Sequence, residues 1–157
     1  MAAIIGTEVI SALIGRQILS QAISDASYSI YNNIQDIFYY SSDVDKVLRD
    51  LDVGAKIKMY EEMTKTIESN TKNNHSIMEM SLESIHDMII KIREDLKKIN
   101  SKIEKHKKKY LPNWRSVNCK KELSDLISHC NILDKRFNYL VKAIDIVKSE
   151  GNAKTQI

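Results

Sequence analysis

Proline is almost missing from this chain and glycine is scarce, with one Pro and four Gly in 157 residues. β-Sandwiches and α/β folds turn at short intervals and draw on both residues for their turns, so this composition excludes them. Long helices joined by few corners need almost none. Cysteine is equally sparse. Cys119 and Cys130 alone cannot build a disulfide framework. On one continuous helix they would stand roughly 16 Å apart, beyond the roughly 7 Å that a disulfide spans. They read as reduced packing residues of a reducing compartment. A long uninterrupted apolar run is lacking too. The most apolar stretch, residues 1–23, is broken by Glu8, Arg16, Gln17 and Gln21, and no basic residue precedes it. A span of about 20 apolar residues and a secretory signal are therefore not expected.

What is present is helical periodicity. The hydrophobic share of 43% and the charged share of 29% suit a globular chain with a real core. In the first segment, residues 4–40, Leu19, Ala22, Ile23, Ala26, Ile30, Ile34, Ile37 and Phe38 form one amphipathic stripe. Earlier in the same segment Ile5, Val9, Ile10, Leu13, Ile14 and Ile18 point all round the axis. Such a helix end is covered by a bundle, by another chain or by a lipid surface. Ser41, Ser42 and Asp43 offer capping chemistry for a second helix. Its stripe is Val44, Val47, Leu48, Leu51, Ala55, Met59, Met63 and Ile67, with Gly54 as the expected bend or break. Residues 69–74 form a polar corner.

The strongest pattern follows. Ser76 and Glu79 match a capping box. Behind them Met78, Leu82, Ile85, Ile89, Ile92, Leu96, Ile99 and Ile103 alternate four- and three-residue steps. Pro112 stops that helix, and Ser116 is placed to cap the next. There Cys119, Leu123, Leu126, Cys130, Leu133, Phe137, Leu140, Ile144 and Val147 repeat the alternation. Two such helices across a short turn predict a long antiparallel hairpin. With two earlier segments of matching length, the fold class expected is all-α, an up-down-up-down four-helix bundle. Residues 1–148 form one domain and 149–157 a flexible polar tail.

No residue constellation carries chemistry. Both cysteines occupy core register, and His129 points about a quarter-turn from Cys130. His75, His86, His106 and His129 lack the i, i+4 spacing that sets two ligands on one face. Asp50-Leu51-Asp52-Val53-Gly54 lacks the later ligands of a calcium loop, and no glycine-rich phosphate cradle occurs. The expectation is a non-enzyme with no cofactor and no metal. Charge is unevenly placed instead. Residues 91–121 hold twelve Lys/Arg and three acids, a net +9 that leaves −6 for the remainder. Lys105, Lys107, Lys108 and Lys109 suit a helix C-terminus, whereas Arg115, Lys120 and Lys121 oppose the dipole of the helix they begin. The hairpin brings both groups to one basic tip, beside Tyr110, Trp114, Phe38, Tyr39 and Tyr40, which are expected to close the bundle. The tip is a candidate surface for an anionic partner: nucleic acid, phospholipid or an acidic protein. The apolar set from Ile5 to Ile18 is the second candidate interface.

Ile4-Ile5-Gly6-Thr7-Glu8-Val9-Ile10, Ala12-Leu13-Ile14-Gly15-Arg16, Ile30-Tyr31-Asn32-Asn33-Ile34, Ile37-Phe38-Tyr39-Tyr40, Val44-Asp45-Lys46-Val47-Leu48, Lys108-Lys109-Tyr110, Asn113-Trp114-Arg115 and Ile132-Leu133-Asp134-Lys135-Arg136 together resemble uncharacterised small proteins of giant nucleocytoplasmic DNA viruses. That resemblance implies a viral origin, with the host cytoplasm or the virion as location. By layout, an apolar first helix opening a four-helix bundle is similar to HeLo-type domains of cell-death proteins, which implies action on membranes through that helix. The expected function is protein–protein interaction or self-association. Membrane activity through the first helix is the alternative, and nucleic-acid binding through the tip comes third.

Overall fold

The computed structural model describes the backbone at residues 2–38, 42–70, 76–109 and 117–155, and the side chains at 19, 21–38, 43–67, 76–109 and 117–155. The fold is all-α. Five helices make it up among the described residues: α1 Ala2–Phe38, α2 Ser42–Asp50, α3 Val53–Asn70, α4 Ser76–Lys107 and α5 Lys120–Thr155.

The two strictly alternating segments behave as their spacing demands. Every residue of the α4 stripe from Met78 to Ile103 is buried. In α5, Leu126, Cys130, Leu133 and Leu140 are buried, with Cys119 just ahead of the helix, while Leu123, Phe137, Ile144 and Val147 pack partly buried against the same core. Three cross-links fix the sense of the pair. Lys102 reaches Glu122, Asp95 reaches His129, and the Ser84 carbonyl accepts from Arg136. Numbers fall along one helix as they rise along the other, so the two run antiparallel. Burying an Ile or Leu fully is worth about 1.5–3 kcal/mol, and this seam buries many of them.

The second segment departs from expectation. Its break falls at Asp52, whose φ of 51° is left-handed, and Gly54 lies within α3. Leu51 and Asp52 close the turn through amides bonded to the Val47 and Arg49 carbonyls. This resets the helical register. Val44 and Leu48 are buried before the break, and Val53, Ile57, Tyr60 and Thr64 after it. Ala55 and Met59, expected in the stripe, are exposed instead. Phe38 is likewise displaced from the stripe of α1: it is half exposed, and the Arg49 guanidinium stands 5.0 Å from its ring centre.

Two more corrections concern ends. The last helix begins with Cys119 as its cap, whose carbonyl accepts from the Leu123 amide at 2.9 Å. Asn118 Oδ1 accepts from the Lys120 amide. Ser116, the expected cap, lies outside the described residues, as do Tyr39, Tyr40, Tyr110 and Trp114. The stretch 149–157, expected to be a tail, is helical as far as Thr155, with its described side chains exposed.

Phe38 beside Arg49 and Ser24 bonded to Glu61 show that α1 runs opposite to α2 and α3. Lys56 and Tyr60 meet Asp134, and Tyr60 packs on Phe137 at 4.8 Å between ring centres. Farther along, Met63 and Ile67 approach Ile144 and Val147. α3 and α5 therefore run in the same sense. The carboxyl ends of α1 and α4 share one end of the molecule with the start of α5.

Candidate functional site

The basic tip is built by the last turns of α4 and the first residues leading into α5. Lys102, Lys105 and His106 of α4 and Lys109, just beyond its end, line a hollow of about 270 Å³ with Val117 and Asn118. Lys102 is committed to structure: its ammonium donates to Glu122 Oε1 at 2.6 Å and to the Asn118 carbonyl at 3.3 Å. That bond is the first cause holding the Glu122 carboxyl below the usual range. Glu122 also lies in the first turn of α5, where a negative charge complements the helix dipole. It offsets the cations beside it.

The expected tip residues therefore divide. Lys107 pairs with Glu104 at 2.5 Å, and Lys121 with Asp125 at 3.2 Å. Among the described residues Lys105, Lys108, Lys109 and Lys120 form no ion pair. Arg115 lies outside the described residues. The side chains of Ile5, Val9, Ile10, Leu13, Ile14 and Ile18 are also outside them, although the backbone there is helical.

The sequence reading missed two polar clusters, one around a buried carboxylate and one around a half-exposed one. His129 Nδ1 donates to Asp95 Oδ2 at 2.5 Å, and the Asp95 side chain is only 4% exposed. On the far side of α5, Asp134 accepts from Lys56 Nζ at 2.9 Å and from the Tyr60 hydroxyl at 3.1 Å. Burial, and then the Asp134 charge, raise the Tyr60 hydroxyl well above its ordinary value. A signal existed for Asp95. It stands seven residues after buried Met88, on the flank of the α4 stripe that faces α5. No spacing rule links Lys56 or Tyr60 to Asp134, because the register of α3 depends on the break at Asp52.

Neither cluster is equipped as a nucleophilic site. Cys130 lies between them, buried and free, and burial pushes its thiol up to about 12. The same cause raises Cys119. A thiol so placed stays protonated at neutral pH and is a poor nucleophile. Among the described residues no three His, Cys, Asp or Glu are grouped as a metal ion requires. Also among the described residues, no helix is long and apolar enough to cross a membrane.

Comparison with known proteins finds a similar protein in a giant virus. It is 26% identical to an uncharacterized protein of Acanthamoeba polyphaga mimivirus over 163 aligned residues, covering 87% of this chain and 79% of that protein. No family model matches the chain, and no solved structure matches it. The layout likeness to HeLo-type domains gains no support from these comparisons. The viral resemblance does gain support.

Proposed function

We propose that this chain is a viral, non-enzymatic binding protein. Its helices form an up-down-up-down bundle in which α2 and α3 together make the second member, and its basic tip docks an acidic protein. The observation that carries this reading is the set of lysines left without ion pairs, Lys105, Lys108, Lys109 and Lys120, at the end of α4 and the start of α5, of which Lys105 and Lys109 line the hollow. The acids on the two helix ends themselves are already engaged: Glu104 by Lys107, Glu122 by Lys102, and Asp125 by Lys121. Lysine positive charge concentrated in this way raises the local concentration of an anionic partner and speeds its encounter. The small concave shape favours carboxylate side chains over a nucleic acid duplex, whose backbone is followed by an extended basic stripe.

The test combines Lys108→Glu, Lys109→Glu and Lys120→Glu in one variant. Binding to polyglutamate and to duplex DNA is measured at two ionic strengths, with circular dichroism as the control for folding. The parent is expected to bind polyglutamate, the folded variant to lose at least ten-fold in affinity, and the difference to shrink at high salt. Equal binding by parent and variant, or tight binding to DNA alone, overturns the proposal.

A further inference from the structure

The outer face of α5 carries apolar residues where the hairpin needs none. Ile132, Tyr139 and Ile146 recur at seven-residue steps, which sets them in one line along the helix. That line is not the seam with α4. The seam is held by Leu126, Leu133 and Leu140, all buried, whereas Tyr139 is 59% exposed and Ile146 44%. Ile132 is partly buried. Met80 of α4, 69% exposed, widens the line. The Ser84 carbonyl accepts from Arg136, so Met80, one turn before Ser84, is level with Tyr139, almost one turn after Arg136. Apolar side chains exposed singly are ordinary, but a line of them marks an interaction surface.

Charge borders the line on both flanks, with opposite sign. In a helix the residues three and four places after a given one lie to opposite sides of it. Arg136, four after Ile132, turns to α4 through its bond to Ser84, and Ala143, four after Tyr139, is buried. Lys135 and Lys142, three after the same two residues, therefore stand on the flank away from α4. Both are exposed and form no ion pair among the described residues. On the other flank α4 presents Glu83 and Asp87. The Asp95–His129 and Ser84–Arg136 cross-links bracket them at the level of Lys135. Glu83 is exposed and forms no ion pair among the described residues. The Asp87 side chain is 71% exposed, with His86 Nδ1 3.8 Å away.

A second copy of this chain supplies what such a face requires: an apolar line to cover the first, with both signs of charge beside it. Charge also selects the geometry. If the two α5 helices face each other in parallel, each Lys135 stands opposite the partner's Asp87 and Glu83. If they face each other antiparallel, Lys135 meets the partner's Lys142, and acids meet acids. Like charges so opposed disfavour the second arrangement.

We propose that two copies of this chain pair through the outer faces of α5, parallel and in register, with Ile132, Tyr139 and Ile146 each meeting its own counterpart. The two-fold axis then runs along the helices, and the isologous contact closes at two. The line starts twelve residues beyond Lys120, roughly 18 Å along the helix, so this contact and the basic tip are separate surfaces.

The experiment uses the full chain, with circular dichroism as the control for folding. Sedimentation measures the dimer constant of the parent, of Tyr139→Glu, of Lys135→Glu, of Asp87→Lys and of the two reversals combined. Tyr139→Glu is expected to weaken the dimer at least ten-fold and each single reversal three- to ten-fold. The combined reversal should restore it to within about two-fold. Ile132→Cys chains alone, and Ile146→Cys chains alone, are each expected to form a disulfide dimer on oxidation. The parent, whose own cysteines are buried, should form none. A parent that stays monomeric at high micromolar concentration overturns the proposal, as does a dimer indifferent to Tyr139→Glu. Disulfide formation only between Ile132→Cys and Ile146→Cys chains would show antiparallel pairing and equally overturn it.

Discussion

Asp95 and His129, 34 residues apart in sequence, meet across the α4–α5 interface at 2.5 Å, with the carboxylate buried and the imidazole a quarter exposed. This bond pins the middle of the hairpin, between the Lys102–Glu122 and Arg136–Ser84 cross-links. A buried carboxylate that loses its partner is left with its desolvation unopposed.

His129→Ala should therefore lower stability by about 2 kcal/mol, less than the 3–5 kcal/mol of a fully buried pair because the ring touches solvent. Asp95→Asn keeps an acceptor for Nδ1 and should cost clearly less. Urea denaturation of the two variants checks the order. Equal losses would show that packing, not the bond, is what matters there.

The Cys130 thiol gives a pH dependence with a defined sign. Its pKa in the folded state is pushed from an ordinary 9.0 up to about 12 by burial. Between those values the unfolded chain releases the proton and the folded chain keeps it, so stability falls as pH rises from about 9 towards 12. Replacing Cys130 by Ala should cost on the order of 1 kcal/mol at pH 7 through lost packing. The same replacement should flatten the alkaline decline. Thermal melts of parent and variant at pH 7, 9 and 10.5 measure both effects.

How much of this was legible beforehand depended on the regularity of each stripe. In α4 the alternation from Met78 to Ile103 is unbroken, and the structure buries each member. Leu126, Leu133 and Leu140 on the facing helix follow the same rule. In the second segment the apolar residues were dense enough to fit two registers. Val53 and Ile57 fit one, Ala55 and Met59 the other, and only the turn at Asp52 decides between them. The tip was legible as a charge count, yet the count could not tell which lysines were neutralised. That depends on Glu122 lying opposite Lys102, a pairing across the hairpin. The polar clusters were least legible, since Asp134 takes its donors from 74 and 78 residues away.

The break itself yields a prediction. Asp52 holds a left-handed φ that glycine adopts without penalty, while Gly54 occupies a helical position where a Cβ would meet nothing within 4 Å. Gly54→Ala should stabilise the protein by about 0.5–1 kcal/mol, by restricting the unfolded chain and favouring the helix. Asp52→Ala should destabilise by a similar amount, because alanine lacks the tolerance of Asp for that conformation. Chemical denaturation of the two variants should show opposite shifts of the midpoint. A gain from both would place the constraint elsewhere.

The carboxylate of Asp134, which receives both Lys56 and Tyr60, also bears on the order in which the chain assembles. The α4–α5 seam closes across a short connection and loses little entropy in doing so, whereas docking α3 onto Asp134 must first close a loop of more than 70 residues. The hairpin is thus the natural nucleus, and α3 arrives as a late addition. Contacts made after the rate-limiting step act on the return journey. Asp134→Ala should speed unfolding several-fold and leave the refolding rate within about two-fold of the parent in stopped-flow measurements. Leu133→Ala, one residue earlier but facing the nucleus, should slow refolding. Adjacent residues on one helix would then report the beginning and the end of folding.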